Sequence, residues 1–352
     1  MRHSIGKTLG TMTFAALLAA PAGMALAQLA PSPDSSPVSH APPPPPEPED
    51  APVATLKESV NLVSLYFSVK DKSGTLIPHL TKQNCSVDED KQPQTLNSFQ
   101  AETNQPLTLG ILLDLSGSQT HVLPLEQQFG GEFLSQVLKS KDEAFVESFD
   151  VNVDLLQDYT NSPRQLQRAL DSARINAGVS FGSGPVPTSR PKGTVLYDAV
   201  YLASNEKLGR ETGRKAILIL TDGEDEGSDH KITEAIAAAQ KANAIIYGIL
   251  LADRGGYGNF GLGYSGDFAL RKMSEETGGR MINVGNNGNK LQAAFEQIED
   301  ELRTQYVASY TPTNSKIDGG YRKIEVACKA DRTGDPLKVQ VRKGYYALSP
   351  EE

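Results

Sequence analysis

Cysteine and histidine are scarce in this chain. Its 352 residues contain two cysteines and five histidines. A structural zinc site draws on several His or Cys ligands at close spacing, and that spacing is missing from the sequence. His121 and His230 each follow a segment rich in oxygen-bearing side chains, but they stand alone and are expected to be solvated. The composition therefore argues against a zinc site.

Basic residues are outnumbered by acidic ones and form no block. Lysine and arginine total 34 against 43 aspartates and glutamates, which gives a formal net charge of −9. An acidic chain without a basic patch is repelled by nucleic acid and by anionic membrane surfaces. We therefore expect proteins, glycans or cationic surfaces as partners.

Signatures of catalysis are missing as well. The sequence contains no Gly-x-Ser-x-Gly elbow and no evident Ser/His/Asp arrangement. Residues 261–266 have the glycine spacing of a dinucleotide site, but about nine loop residues separate them from the preceding predicted strand, so the tight turn on which that motif depends is absent. The sequence favours a protein that is not an enzyme.

Long apolar runs are confined to the amino terminus. Residues 1–27 contain Arg2 and Lys7, then an apolar stretch and an Ala-Leu-Ala end, which is the plan of a secretory signal peptide. Cleavage before Gln28 would remove two positive charges and no negative ones, so −9 becomes −11. No later segment has the length of a transmembrane helix. We expect a secreted, periplasmic or envelope protein, with an uncleaved amino-terminal anchor as the alternative.

A proline-rich segment follows the leader. Residues 28–55 include five consecutive prolines, from Pro42 to Pro46. This composition cannot bury a core and favours extended polyproline backbone. We expect a semi-rigid spacer before the folded part of the chain.

Strand and helix patterns alternate between residues 103 and 305. Continuous apolar runs, typical of strands buried on both faces, alternate with stretches of helical periodicity. This order predicts an α/β domain with a Rossmann-like, doubly wound and mostly parallel sheet. The predicted strands are 107–115, 143–149, 153–159, 215–221, 244–251 and 280–284, and the predicted helices are 122–138, 163–173, 195–205, 232–242, 267–277 and 291–305.

The two flanks of that region have a strand pattern of their own. Residues 56–102 and 306–348 alternate polar and apolar side chains over short runs. Neither flank has enough strands to be stable alone. We expect the flanks to pair into one small β-sandwich, with the α/β domain inserted between them.

Each flank contains one of the two cysteines. Cys85 shares the parity of Val87 along its predicted strand, and Cys328 shares that of Ile324 and Val326. In an oxidising compartment an even count suggests a disulfide. The pattern predicts a bridge from Cys85 to Cys328, and two separate buried thiols are the alternative.

Oxygen-bearing side chains follow two of the predicted buried strands. Asp114, Ser116 and Ser118 end the first of them, Thr194 opens a later helix, and Asp222 follows a second strand. Ligands of open α/β folds bind outside the carboxyl ends of strands, and hard cations such as Mg²⁺ prefer oxygen ligands. These residues predict a divalent-cation site. The alternative is a turn whose Ser and Asp side chains only cap the next helix.

This Asp-x-Ser-x-Ser motif, with its downstream Thr and Asp, resembles the metal-ion-dependent adhesion site of von Willebrand factor A-type domains. The likeness covers about residues 60–347 and is closest to secreted acidobacterial proteins of that class. It implies that Ser116 and Ser118 bind Mg²⁺, or Mn²⁺ or Ca²⁺, directly. It further implies that Thr194 binds directly or through water, and that Asp114 and Asp222 hold coordinated waters. An Asp or Glu carboxylate of a protein partner would complete the octahedron.

Two loops are longer than packing requires. They span residues 175–193 and 252–266 and are expected to leave the sheet at the same edge as the cation site. Four aromatic side chains in them are candidate anchors for a partner: Phe181, Tyr257, Phe260 and Tyr264. Flexible loops without a binding role are the alternative.

Together these features predict an exported protein-binding module that depends on a divalent cation. The main alternative is a structural or assembly factor of the cell envelope with a degenerate metal site. A hydrolase that uses the metal is a distant third, because it would also need a general base beside the open coordination position. The partner's identity and the oligomeric state stay open at this level.

Overall fold

The chain is described by a computed structural model over residues 62–101, 105–175, 193–251, 265–331 and 333–349. The predicted leader and proline-rich spacer lie outside these residues. The strands in chain order are β1 (Val63–Lys70), β2 (Cys85–Glu89), β3 (Gln92–Gln94), β4 (Leu96–Ala101), β5 (Leu107–Asp114), β6 (Glu143–Phe149), β7 (Val153–Thr160), β8 (Arg214–Thr221), β9 (Ala244–Leu250), β10 (Met281–Asn283), β11 (Tyr306–Tyr310), β12 (Tyr321–Cys328), β13 (Lys338–Val341) and β14 (Gly344–Tyr346). The helices are α1 (Leu123–Val137), α2 (Pro163–Ser172), α3 (Leu196–Leu202), α4 (Ile232–Lys241), α5 (Ser265–Thr277) and α6 (Gly288–Arg303).

Six strands form the central sheet in the order β10-β9-β8-β5-β6-β7. Neighbouring strands run parallel except β7, which is antiparallel to β6 at the sheet edge. All eight residues of β5 and all seven of β9 are buried, because helices cover both faces of the sheet. One core packs α1, α2 and α6 against the sheet, and a second core packs α3, α4 and α5 against its other face. The predicted doubly wound α/β fold is confirmed.

The predicted elements differ from the observed ones mainly at their ends. Helix α3 stops at Leu202, and the segment Ala203–Lys207 continues with wider π-type turns. At that end Lys207 Nζ lies 5.0 Å from the centre of the Tyr159 ring and 2.5 Å from Asp158 Oδ1. These contacts depend on strand β7, so the local periodicity of the helix could not predict them.

The flanking segments form two four-stranded sheets, ordered β13-β1-β11-β4 and β14-β12-β2-β3. Each sheet mixes strands from before and after the α/β domain. Strand β1, for example, pairs antiparallel with both β11 and β13. A single apolar core joins the sheets and includes Leu65, Phe67, Tyr306 and Ile324. The flanks therefore complete one another, which is the β-sandwich with an inserted domain that the sequence predicts.

A disulfide links the two flanks. Cys85 and Cys328 lie directly opposite each other on β2 and β12, and their sulfur atoms are bonded. The bridge spans 243 residues of chain. In the loop-entropy model, a crosslink of that span stabilises the fold by about 5 kcal/mol.

Glu301 ties the α/β domain to the sandwich. This residue of α6 is 1% exposed. Its Oε1 accepts from Lys70 Nζ of β1 at 2.7 Å and from Arg280 at 2.6 Å. Its Oε2 accepts from Gln340 Nε2 of β13 at 3.0 Å. Removing one partner of a buried ion pair lowers the stability of the folded protein by several kcal/mol. These contacts therefore hold the end of α6 firmly against the sandwich.

Candidate functional site

The first part of the site is the end of β5. Asp114 is fully buried there, and its Oδ1 accepts the backbone N–H of Ser116 at 2.9 Å. This Asx turn bends the chain away from the sheet. It leaves the Ser116 and Ser118 hydroxyl oxygens 2.9 Å apart. The motif thus places one buried carboxylate and two hydroxyls at the carboxyl end of a central strand.

Thr221 joins β8 to this motif. It precedes Asp222, and its Oγ1 donates to Asp114 Oδ2 at 2.6 Å. The same oxygen accepts the N–H of Gly223 at 2.9 Å. Thr221 was not among the predicted site residues. Its position in the sequence could have indicated it, because Thr221 ends the apolar strand β8, which runs parallel to β5.

Asp222 follows in a tightly packed turn. It is 3% exposed, and its Oδ1 accepts the N–H of Glu224 at 3.2 Å. Gly223 has a φ of +83°, and a Cβ there would lie 2.4 Å from the carbonyl oxygen of Gly266. Only glycine fits this position. The start of α5 therefore closes against the turn and fixes the backbone that presents Asp222.

Thr194 is held by the loop that begins at Asp222. Its carbonyl oxygen accepts the N–H of Glu226 at 2.9 Å, and its own surface is 8% exposed. A Cβ on Gly193 would lie 2.8 Å from the Glu226 carbonyl oxygen. The segments carrying Thr194 and Asp222 are therefore in direct backbone contact.

Four further residues fasten the same loop to α3; we call this set the loop clasp, formed by Asp198, Asp225, Ser228 and His230. The first N–H groups of α3 lack partners within the helix. The N–H of Tyr197 donates to Asp225 Oδ1 and to Ser228 Oγ, both at 3.1 Å. Asp225 therefore supplies an acceptor for the first turn of α3.

Asp198 of α3 accepts hydrogen bonds from the loop in turn. Its Oδ2 accepts the N–H of Asp229 at 2.9 Å, and its Oδ1 accepts the N–H of His230 at 2.9 Å. The ring Nδ1 of His230 lies 2.7 Å from Asp198 Oδ1, and the ring stacks on Tyr201 with centroids 3.7 Å apart. His230 is thus half-buried and paired rather than solvated, whereas His121 is exposed as predicted.

Burial and like charge dominate the electrostatics of the site. Burial, reinforced by the Asp222 carboxylate, raises the pKa of Asp114 to about 7, although hydrogen bonds from Ser116 and Thr221 oppose the rise. Burial raises the pKa of Glu126 on α1 well above its usual range, and Asp114 and Asp222 add to the rise. The ionised forms of these carboxyl groups repel one another, and the hydrogen bonds from Ser116 and Thr221 offset this only in part for Asp114.

The donor set suits a hard divalent cation. In the part of the chain that the structure describes, no group of three or more His, Cys, Asp and Glu side chains is placed to hold a metal. A cation would therefore rely on the Ser116 and Ser118 hydroxyls, with the buried carboxylates binding its waters. Oxygen ligands with several retained waters are what Mg²⁺ accepts.

The aromatic candidates Phe181, Tyr257, Phe260 and Tyr264 lie outside the described residues, so their role as partner anchors stays a prediction. Among the described residues, no helix is long and apolar enough to cross a membrane.

No protein-family model matches this chain, and no curated protein matches it. Among solved structures, it is similar to the conserved hypothetical protein BatB of Bacteroides thetaiotaomicron, with 19% identity and a TM-score of 0.40 over 55% of this chain and 98% of that one. A von Willebrand factor type A protein of Catenulispora acidiphila gives 11% identity and a TM-score of 0.42 over 78% and 76%. The von Willebrand factor domain of a type V pilus tip protein of Porphyromonas gingivalis gives 12% and 0.41 over 56% and 95%.

The α/β part has the Rossmann-like architecture that the resemblance to von Willebrand factor A-type domains implies. It has the mostly parallel six-stranded sheet, and the Asp-x-Ser-x-Ser motif stands at the end of a central strand. The narrower likeness to secreted acidobacterial members stays a prediction.

Proposed function

We propose that this chain is an exported protein-binding module that uses a divalent cation to engage a carboxylate of its partner. The observation that carries the proposal is the arrangement at the end of β5. A fully buried Asp114 stands beside two hydroxyls 2.9 Å apart and under the charge of Asp222. Carboxylates in such a place repel each other unless a cation is near.

The proposed ligands divide into two kinds. Ser116 and Ser118 offer hydroxyl oxygens to the cation directly, and Thr194 does so directly or through water. Asp114 already accepts one hydrogen bond at each carboxylate oxygen, so its remaining lone pairs suit water molecules of a hydrated cation. Asp222 has the same role. Mg²⁺ is the expected cation, with Mn²⁺ or Ca²⁺ as substitutes, and it supplies an open position for an Asp or Glu of the partner.

The predicted amino-terminal leader supports an envelope or extracellular location. Adhesion through a cation bridge needs only binding, so no reaction is assigned to the site. The partner is expected to be a protein rather than nucleic acid, since the chain is acidic.

A structural or assembly factor of the cell envelope is the second candidate. The sandwich favours it, because β3, β4, β13 and β14 are edge strands of its two sheets, and edge strands can pair with other chains. In that case binding would run through the sheet edges and would not respond to metal.

Calorimetric titration of Mg²⁺ and Mn²⁺ into the purified protein tests the proposal. Ser116→Ala and Asp222→Ala are expected to abolish binding, because each removes a proposed ligand. Ser135→Ala is the matched control, since Ser135 is exposed on α1 and its hydroxyl donates to the Glu132 carbonyl oxygen of the same helix. Binding that survives both site variants would contradict the assigned site. No metal binding by the wild type, with or without added acetate, would favour the structural factor.

A further inference from the structure

Glu126 is a buried carboxylate beside the candidate site without an evident structural role. It lies in the first turn of α1 and is 0% exposed. Neither carboxylate oxygen has a hydrogen-bond partner among the described residues. A buried polar group left in this state costs free energy, so its presence in the fold calls for a compensating interaction.

The surroundings of Glu126 are unsuited to a carboxylate. It borders a small cavity between the sheet and helices α1, α2 and α6, together with apolar side chains. A leucine or methionine would pack there without the desolvation penalty. The remaining lining residues include Leu113, Phe133, Leu170 and Phe295.

The charges that act on Glu126 belong to the candidate cation site. They are the carboxylates of Asp114 and Asp222, and both disfavour its ionisation. Three acidic groups are therefore coupled in a low-dielectric interior, where charges act on one another over longer distances than in water. A divalent cation bound at the Ser116 and Ser118 hydroxyls would instead favour the ionised form of all three carboxyl groups.

Gln119 adds a second buried polar group on the same side of the motif. It is 1% exposed. Its Nε2 donates to Ser118 Oγ at 3.3 Å, while its Oε1 is without a partner among the described residues. The turn after the motif thus contains a buried amide whose oxygen accepts no hydrogen bond from the described residues.

We propose that Glu126 is a positioning residue of the cation site: it does not ligate the metal, but the negative charge that it takes on when a divalent cation is bound stabilises that cation at Asp114, Ser116 and Ser118. This inference rests on the proposed function. It predicts that Glu126 lowers the stability of the metal-free protein and raises its affinity for metal. A purely structural residue would not have these opposite effects.

Two substitutions test the inference. Glu126→Gln keeps the shape and removes the charge, and Glu126→Met fills the apolar space if the glutamine is not tolerated. Glu132→Gln is the matched control, because Glu132 lies on the same helix and is exposed. Affinities for Mg²⁺ and Mn²⁺ are measured by calorimetry, and thermal unfolding is followed in chelator.

We expect the Glu126 variants to bind Mg²⁺ about tenfold more weakly, as the loss of one nearby charge in a partly screened interior would give. We expect Glu126→Met to unfold about 2–4 °C higher in chelator. The control should change neither quantity. Unchanged metal affinity in both Glu126 variants, beside a wild type that binds, would overturn this inference alone. A wild type that binds no metal would overturn the proposed function and this inference with it.

Discussion

Glu147 is one of the buried acids on which the stability of the protein should depend as the pH changes. It lies on β6 with 6% of its surface exposed, and burial raises its pKa to about 7 against the opposing effect of Lys207. Because the pKa is raised in the folded state, the folded protein holds this proton more tightly than the unfolded chain does. The contribution of Glu147 to stability therefore falls as the pH rises from about 4.5 to 7.

Glu147→Gln should remove that loss. We expect the free energy of unfolding of the variant to exceed that of the wild type at pH 8 by up to about 3 kcal/mol, and to be close to it at pH 5. Urea denaturation at the two pH values measures the difference. Glu132→Gln, at an exposed position, is again the control. If the free energy of unfolding of Glu147→Gln differed from that of the wild type by the same amount at both pH values, the raised pKa assigned to Glu147 would be refuted.

At the same scale, sequence reasoning found some site residues and missed others. Asp114, Ser116, Ser118, Thr194 and Asp222 form a recognisable spacing. In the structure Asp114 bonds the residue before Asp222, and Thr194 bonds the loop that follows Asp222. Thr221 and Glu126 carry no such spacing, because their importance comes from contacts across the sheet and from burial. The metal-binding role of the five motif residues itself stays a prediction.

Among the elements, α3 and the loop after β8 act as a pair through the loop clasp. Burial works against ionisation of Asp198, but hydrogen bonds from His230 and Asp229 bring its pKa below the ordinary value. The ionised carboxylate is the form that accepts those bonds. The clasp should therefore be complete at neutral pH and weaken as the pH falls through the lowered pKa of Asp198.

Asp198→Ala should open the clasp. The N–H groups of Asp229 and His230 would lose their acceptor, at a cost of about 1–3 kcal/mol, and Thr194 would be held less firmly relative to Asp222. We expect faster hydrogen exchange across residues 224–231 and weaker Mg²⁺ binding. Asp229→Ala is the control, because Asp229 is exposed and contributes its backbone N–H to the clasp. Unchanged exchange in Asp198→Ala would show that the loop is held by other contacts.

At the scale of the whole molecule, the two flanks act as one body. Strands from both sides of the α/β domain share two sheets, and the Cys85–Cys328 bridge closes the chain around that domain. The Glu301 pairs add a buried connection from α6 to β1 and β13. Chain segments more than two hundred residues apart must therefore meet before the sandwich is stable.

Replacing both cysteines by serine should destabilise the molecule by about 5 kcal/mol, because the crosslink restricts the unfolded chain. Denaturant unfolding with and without reductant measures the effect. The wild type should lose stability in reductant and the Cys85→Ser/Cys328→Ser variant should not. Equal stability of wild type and variant in the absence of reductant would contradict a stabilising bridge.

Local pattern in the sequence determined the elements of this protein. The apolar runs of β5, β8 and β9 and the periodicity of the helices follow from which side chains must leave water, so strand and helix positions could be predicted to within a few residues. The paired parity of Cys85 and Cys328 could be read in the same way, because alternate side chains of a strand share a face.

Only the tertiary structure decided which side chains meet across those elements. Thr221 reaches Asp114 because β5 and β8 lie side by side in a particular register. Asp198 meets His230 because α3 and the loop after β8 pack together. Glu126 becomes a buried acid without a hydrogen-bond partner among the described residues because α1 lies on an apolar face of the sheet. These contacts join residues distant in the chain, and local sequence pattern does not carry information on distances between elements.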